Sequence, residues 1–82
     1  MNANYEKLRI PNLKKNIKNK IVEIAKTVET NPNHYKNLKK PMQKYKRAHV
    51  NNSYVLIFRV DEKNKEVIFF DYSHHDSIYN KN

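Results

Sequence analysis

Tyr45-Lys46-Arg47-Ala48-His49-Val50, a joint of Asn51-Asn52, Ser53-Tyr54-Val55-Leu56-Ile57-Phe58-Arg59-Val60, and after a polar gap Glu66-Val67-Ile68-Phe69-Phe70-Asp71-Tyr72: this stretch decides the fold. Its side chains alternate with a period of two, and its runs are rich in Val, Ile, Phe and Tyr, which together predict β-strands over residues 45–50, 54–60 and 66–72. Asn51-Asn52 suits a tight hairpin, and Asp61-Glu62-Lys63-Asn64-Lys65 a longer polar one. Connections this short imply an antiparallel meander, since parallel strands need long crossovers. Leu56, Phe58 and Val60 share one face of the middle strand, and Val55, Ile57 and Arg59 the other. The last strand is apolar on both sides through Val67, Ile68, Phe69 and Phe70, as expected of a strand that is central or covered on both faces.

Upstream, the period changes. Leu13, Ile17, Ile21, Ile24, Ala25 and Val28 fall on one face of a helix over residues 12–30, with lysines and glutamates on the other side. Asn12 is the expected N-cap, and Asn31-Pro32 ends the helix because a residue before proline avoids helical angles. The helix can lie across the meander and bury its stripe. The expected architecture is therefore α+β: a small antiparallel meander of three strands, with room for one more, against one long N-terminal helix. Residues 1–10 fit either a short helical turn or an extended arm. Residues 33–44 form a basic connector without clear period, in which Pro41 opposes a regular element.

Eighty-two residues, 38% of them hydrophobic, suffice for one domain over residues 1–82 with one modest core. No run is long and apolar enough for a transmembrane helix, and the first residues lack the apolar segment of an export signal, so a cytoplasmic protein is expected. Without cysteine there is no disulfide, thiolate metal site or thiol nucleophile. Without glycine, the Walker and Rossmann phosphate loops are excluded, as is a serine nucleophile elbow. Turns must use Asn and Asp, which tolerate left-handed angles better than most residues.

The net charge of +9 points to a polyanionic partner: nucleic acid, an anionic membrane surface or an acidic protein. Its distribution sharpens this. From Glu29 to Asp61 there is no intervening acidic residue, while Lys36, Lys39, Lys40, Lys44, Lys46, Arg47 and Arg59 all lie there, with Tyr35, Tyr45 and Tyr54 among them. Cations that hold a phosphate backbone, interleaved with rings that stack on unpaired bases, form an RNA-binding surface. Tyr45 and Tyr54 serve equally well as core packing.

Four histidines, His34, His49, His74 and His75, can transfer protons near neutral pH. Two that converge could deprotonate a ribose 2′-hydroxyl and protonate a leaving 5′-oxygen, with lysine or arginine stabilising the phosphorane, and neither metal nor cofactor is required. His34, beside Pro32, reads as a loop residue. His74 and His75 are adjacent, so in extended chain only one faces a given site.

The hairpin and the ending Ser73-His74-His75-Asp76-Ser77-Ile78-Tyr79 together resemble toxins of the RelE/ParE superfamily, nearest the YafQ branch, over roughly residues 6–80. That branch pairs an Ala/Cys-His-Val segment with an aromatic-led strand, and closes on a histidine or arginine four positions before a terminal aromatic. The resemblance implies a type II toxin that cleaves mRNA in the ribosomal 30S A site and is neutralised by a small antitoxin, with no membrane partner and no direct DNA contact. His49 and His75 would be the catalytic proton-transfer pair, Tyr79 would orient the nucleotide, and the connector would hold RNA. Two positions depart from the branch: Lys36 stands where it has a histidine, and Ser53 where it has an aspartate. They keep open a basic RNA- or ribosome-binding protein without catalysis. The family's usual N-terminal strand is also expected to be missing, because only ten residues precede Pro11. ParE-like members of the superfamily act on gyrase, so a toxin directed at gyrase stays open as well.

Overall fold

The computed structural model describes residues 1–8, 14–51 and 53–74. Asn12, Leu13 and Asn52, to which the sequence assigned a cap, a core contact and a turn position, lie outside them. Four strands, β1 (Asn2–Asn4), β2 (Lys46–His49), β3 (Tyr54–Asp61) and β4 (Glu66–His74), and one helix, α1 (Lys15–Thr30), make an α+β fold. The sheet order is β1-β4-β3-β2.

The expected meander is β2-β3-β4, antiparallel throughout. Two expectations need correction. The strand ahead of the helix is present: β1 pairs parallel to β4, with Asn2, Ala3 and Asn4 opposite Glu66, Val67 and Ile68. Three residues are too few to carry a period, and what makes them a strand is the open edge of β4, to which the Asn2 N–H is joined through the Lys65 carbonyl at 3.0 Å. The sheet is thus mixed, and β4 becomes an interior strand, as its two apolar sides require. The second correction concerns the helix start. Its N-cap is Lys14, extended at φ −68° and ψ 153°, with no side-chain cap bond.

Nothing local favours α1 at its ends, because its first turn holds no acid and its last turn no base. Its stability comes from its buried stripe, Ile17, Ile21, Ile24, Ala25 and Val28, set on Ala48, Leu56, Phe58, Val67 and Phe69 of the sheet. Val22, on the far side, is half exposed. On the opposite face of the sheet Leu38, Val55 and Ile57 form a smaller core with Met42 and Tyr45. Both cores are wholly apolar among the described residues.

Two local features set later geometry. Between Ile57 and Phe58 the register slips: Ile57 pairs with Asp71 but Phe58 with Phe69, so Phe70 is the extra residue of a β-bulge. The bulge reverses the alternation beyond it. Asp71 and Ser73 then share the face of Ile57 and Val55, whereas Tyr72 and His74 share the helix-side face of Leu56 and Tyr54. The β3–β4 turn is closed by the Asp61 carboxylate, which accepts the Asn64 N–H at 3.2 Å and its side-chain amide at 2.8 Å. Lys65, not Asn64, takes the left-handed conformation there, at φ 55°.

Candidate nucleic-acid interface

The basic connector is wrapped around the β2 edge of the sheet. Tyr35 inserts on the helix side, its ring edge-on to Phe58 at 5.5 Å between centroids. Leu38, 3% exposed, is buried on the other side against Val55 and Ile57. Between these two anchors the chain crosses the edge of β2 and satisfies its backbone: Arg47 N–H donates to Lys36 O at 3.1 Å, and Leu38 N–H to Tyr45 O at 2.9 Å. An edge strand covered in this way is protected from pairing with another chain. It also brings the lysines of residues 36–44 onto the sheet.

Lys46 and Arg47 brace the wrap. The Lys46 ammonium donates to Tyr35 O at 3.2 Å and to Asn37 Oδ1 at 3.0 Å, and Arg47 Nη1 donates to Asn37 O at 3.2 Å. Asn37 Nδ2 reaches Gln43 O at 2.7 Å and closes the connector's loop. These two cations, expected from sequence to hold phosphate, therefore also hold the connector.

A cleft of about 400 Å³ lies where the connector, β2 and α1 meet, lined by Lys20, His34, Tyr35, Lys36, Arg47, Ala48 and His49. Three cations and two imidazoles line it, and among the described residues no carboxylate does, the nearest named one being Glu23 on Lys20. His49 and Lys36 are exposed. His34, edge-on to Tyr35 at 4.8 Å, and Lys20, paired with Glu23 at 2.6 Å, were not expected there. The signal for His34 was its place inside the acid-free window, and for Lys20 its place three residues before Glu23 on a helix next to that window. A cleft of about 440 Å³ beside β1 has the opposite character, with Glu6 and Glu66 among its lining residues. Carboxylates there repel phosphate, so the β2 side is the one suited to a polyanion.

The remaining expected residues separate. Lys39 and Lys40 are exposed on the connector away from the cleft lining. Lys44 lies 5.4 Å over the Tyr45 ring, and Arg59 6.0 Å over that of Phe70, both on the second face of the sheet. His75 and Tyr79 lie outside the described residues. Ser53 donates its N–H to Asn51 Oδ1 at 2.8 Å, as does Tyr54 at 3.1 Å, so the asparagine closes the β2–β3 hairpin. Tyr54, 38% exposed, stacks on Tyr72 at 5.2 Å and meets His74 edge-on at 5.5 Å. Burial raises the Tyr72 phenol above its usual pKa, with the neighbouring Tyr54 adding to the effect. Among the described residues no three of His, Asp or Glu gather closely enough to hold a metal ion, and no helix is long and apolar enough to cross a membrane.

This architecture matches known proteins. A family model described as the ParE toxin of type II toxin–antitoxin systems, parDE, matches residues 2–79. The chain belongs to the ParE toxin family. Within the RelE/ParE superfamily its sequence relatives include one named as a RelE toxin. A protein of Methanocaldococcus jannaschii named "Putative toxin RelE4" is 51% identical over 72 residues, covering 84% of this chain and 77% of the relative. An uncharacterized protein of Methanosarcina mazei is 43% identical over 81 residues, covering 96% and 90%. Two solved structures share the fold at low identity. YafQ from E. coli has a TM-score of 0.59 at 16% identity, with 95% of this chain and 97% of that one covered. A chain of the RelBE2 toxin–antitoxin complex from Mycobacterium tuberculosis has a TM-score of 0.55 at 14% identity, covering 89% and 95%. The ParE-family chain is thus a toxin of a type II toxin–antitoxin system.

Proposed function

We propose that this toxin is a ribosome-dependent endoribonuclease that stops translation by cutting mRNA in the 30S A site. The observation that carries the proposal is the cleft on β2: His49 with Lys20, Lys36 and Arg47, and among the described residues no carboxylate in the lining. An imidazole can take or give a proton near neutral pH, and fixed cations stabilise the charge that accumulates on a phosphate under attack. In the reaction, one histidine removes the proton of the ribose 2′-hydroxyl, and the 2′-oxygen attacks the adjacent phosphorus. The bond from phosphorus to the 5′-oxygen breaks, and a second histidine protonates the leaving oxygen. His49 and His75 are the proposed pair, Tyr79 orients the nucleotide, and Lys36, Lys39, Lys40, Lys44, Lys46, Arg47 and Arg59 hold RNA. No metal or cofactor takes part in these steps. A small acidic antitoxin, covering the lysines and part of the second sheet face, is the proposed partner, and the cytoplasm the proposed location.

Induced expression followed by mapping of mRNA 5′ ends tests this. Wild type should leave discrete new ends, and His49→Ala or His75→Ala should reduce them by about 100-fold or more, the usual contribution of a general acid or base. Full cleavage by both variants would refute the assigned roles. The ParE description of the family favours one second reading, a toxin acting on a protein such as gyrase. It predicts DNA-damage signalling with messages intact.

A further inference from the structure

The cleft on β2 holds a group that the proposed reaction leaves unused. Of the two imidazoles in its lining, His49 comes from the sheet and His34 from the bend that follows α1. A volume of about 400 Å³ lies within the range of roughly 300–1,000 Å³ that takes a small ligand, so one nucleotide unit can touch both walls. His34 is exposed, and a ring on a loop ordinarily samples several rotamers. Here it is held at two points. Its backbone N–H donates to Asn31 O at 3.2 Å, and Asn31 N–H in turn donates to Thr27 O at 2.7 Å in the last turn of the helix. Its ring stands edge-on to Tyr35 at 4.8 Å, and Tyr35 stands edge-on to the fully buried Phe58 at 5.5 Å. Two perpendicular ring contacts, an arrangement aromatic pairs prefer, thus connect the imidazole to the main core.

Among the described residues, the charged and titratable groups that share the cleft with His34 are Lys36 on its own segment, Lys20 from α1, and Arg47 and His49 from β2, with Glu23 beyond, paired to Lys20. A lysine is a point charge on a flexible stem, whereas a ring fixed by packing presents its N–H in a set direction. An imidazole keeps an N–H donor whether it is neutral or protonated. Donors already in place are what the developing charge of a phosphorane requires, because nothing has to rearrange as that charge appears. We infer that His34 is a further catalytic residue of the proposed cleavage, donating a hydrogen bond to a non-bridging oxygen of the phosphate under attack. This rests on the nuclease reading and adds to it a contact separate from the two proton transfers. The bond to the 2′-oxygen forms and the bond to the 5′-oxygen breaks as before, and His34 neither gains nor loses a proton.

The test is single-turnover cleavage, by the full chain, of a message held in the A site of programmed ribosomes. Wild type is compared with His34→Ala and with His34→Gln, which keeps a side-chain N–H donor. His34→Ala should cut about 10- to 100-fold more slowly, at or below the roughly 100-fold loss of an enclosed donor because this cleft is open to solvent, and His34→Gln should recover part of the rate. Ribosome binding should change by less than about twofold, since the cations that hold RNA remain. Messages with a phosphorothioate of defined configuration at the cut position supply a readout that a merely structural role does not move. Sulfur accepts hydrogen bonds poorly, so wild type should cut the two diastereomers at rates about tenfold apart, and in His34→Ala that ratio should fall to within about threefold. An unchanged rate, or an unchanged diastereomer ratio, in His34→Ala would overturn the inference. So would full rescue of that variant by a sulfur at the bridging 5′ position, which departs without a proton, because His34 would then be the leaving-group acid. If wild type leaves the message intact, the nuclease reading fails and the role of His34 with it. If wild type cuts and His34→Ala cuts equally fast, the role of His34 alone fails.

Discussion

Replacing Leu38 with alanine asks whether the basic connector is built into the fold or merely lies upon it. Leu38 is 3% exposed and belongs to the smaller core with Val55 and Ile57, the half-buried Met42 and Tyr45 closing over it. Buried leucine-to-alanine changes cost from about 2.7 to 5.0 kcal/mol, according to how far the surroundings collapse into the space left. The smaller core lies under a loop whose side chains can move inward, so the low end applies and the expected loss is about 2.7 kcal/mol. Leu56, 0% exposed between α1 and the sheet, cannot be refilled in this way and should cost about 4 kcal/mol. Against a total of roughly 4–12 kcal/mol for a chain of this length, either loss is large. For Leu38→Ala it should lower the melting temperature by about 10–20 °C. Urea unfolding gives the free energies, and native-state hydrogen exchange gives the location. The amides of Leu38 and Arg47, bonded across the wrap, should lose protection in Leu38→Ala beyond the global change. Should the variant lose less than about 1 kcal/mol, with those amides equally protected, the connector is not anchored through Leu38 and the reasoning fails.

Three further outcomes follow from the same geometry. Hydrogen bonds from Asn64, side chain and backbone, hold the Asp61 carboxyl below its usual pKa. A depressed carboxyl stabilises the fold above its unfolded value, about 3.9, and that contribution disappears as pH falls through the lower folded value. Asp61→Asn should therefore flatten the acid limb of a stability-versus-pH curve below about pH 5, with little change at neutral pH beyond the lost turn bonds. Tyr54→Ala removes the stacked partner of Tyr72 and should cost about 1 kcal/mol, with the Tyr72 phenol ionising at lower pH in an alkaline absorbance titration. An unchanged Tyr72 titration would show that neither its burial nor its neighbour's charge depends on Tyr54. Lys46→Met removes the ammonium that ties Tyr35 O and Asn37 Oδ1, and should destabilise by about 1 kcal/mol because the bonds are partly exposed. A loss of RNA affinity without that destabilisation would instead assign Lys46 to phosphate alone.

Much of this protein is determined by short-range pattern. The stripe of Ile17, Ile21, Ile24, Ala25 and Val28 and the alternation of Val55–Arg59 specify a helix and strands because each period matches the geometry of one element. The two apolar sides of β4 foretell an interior strand, and the acid-free window shows where positive charge is concentrated, since charge acts through its sum as well as its position. His49 could be singled out by its place in the hairpin motif. Contacts distant in sequence decided the rest. Asn2-Ala3-Asn4 has no strand signal of its own and is ordered by the β4 edge. His34 is an unremarkable loop residue until Tyr35 and Leu38 bind opposite faces of the sheet and bring it to the cleft lined by His49. The bulge at Phe70 is the deepest case. Counted along β4, strict alternation puts Tyr72 and His74 opposite the helix side, yet pairing with β3 absorbs one residue and places both beside Tyr54. A period of two specifies that neighbours alternate, but which residue is skipped depends on the strand alongside, and that strand is known only once the chain has folded.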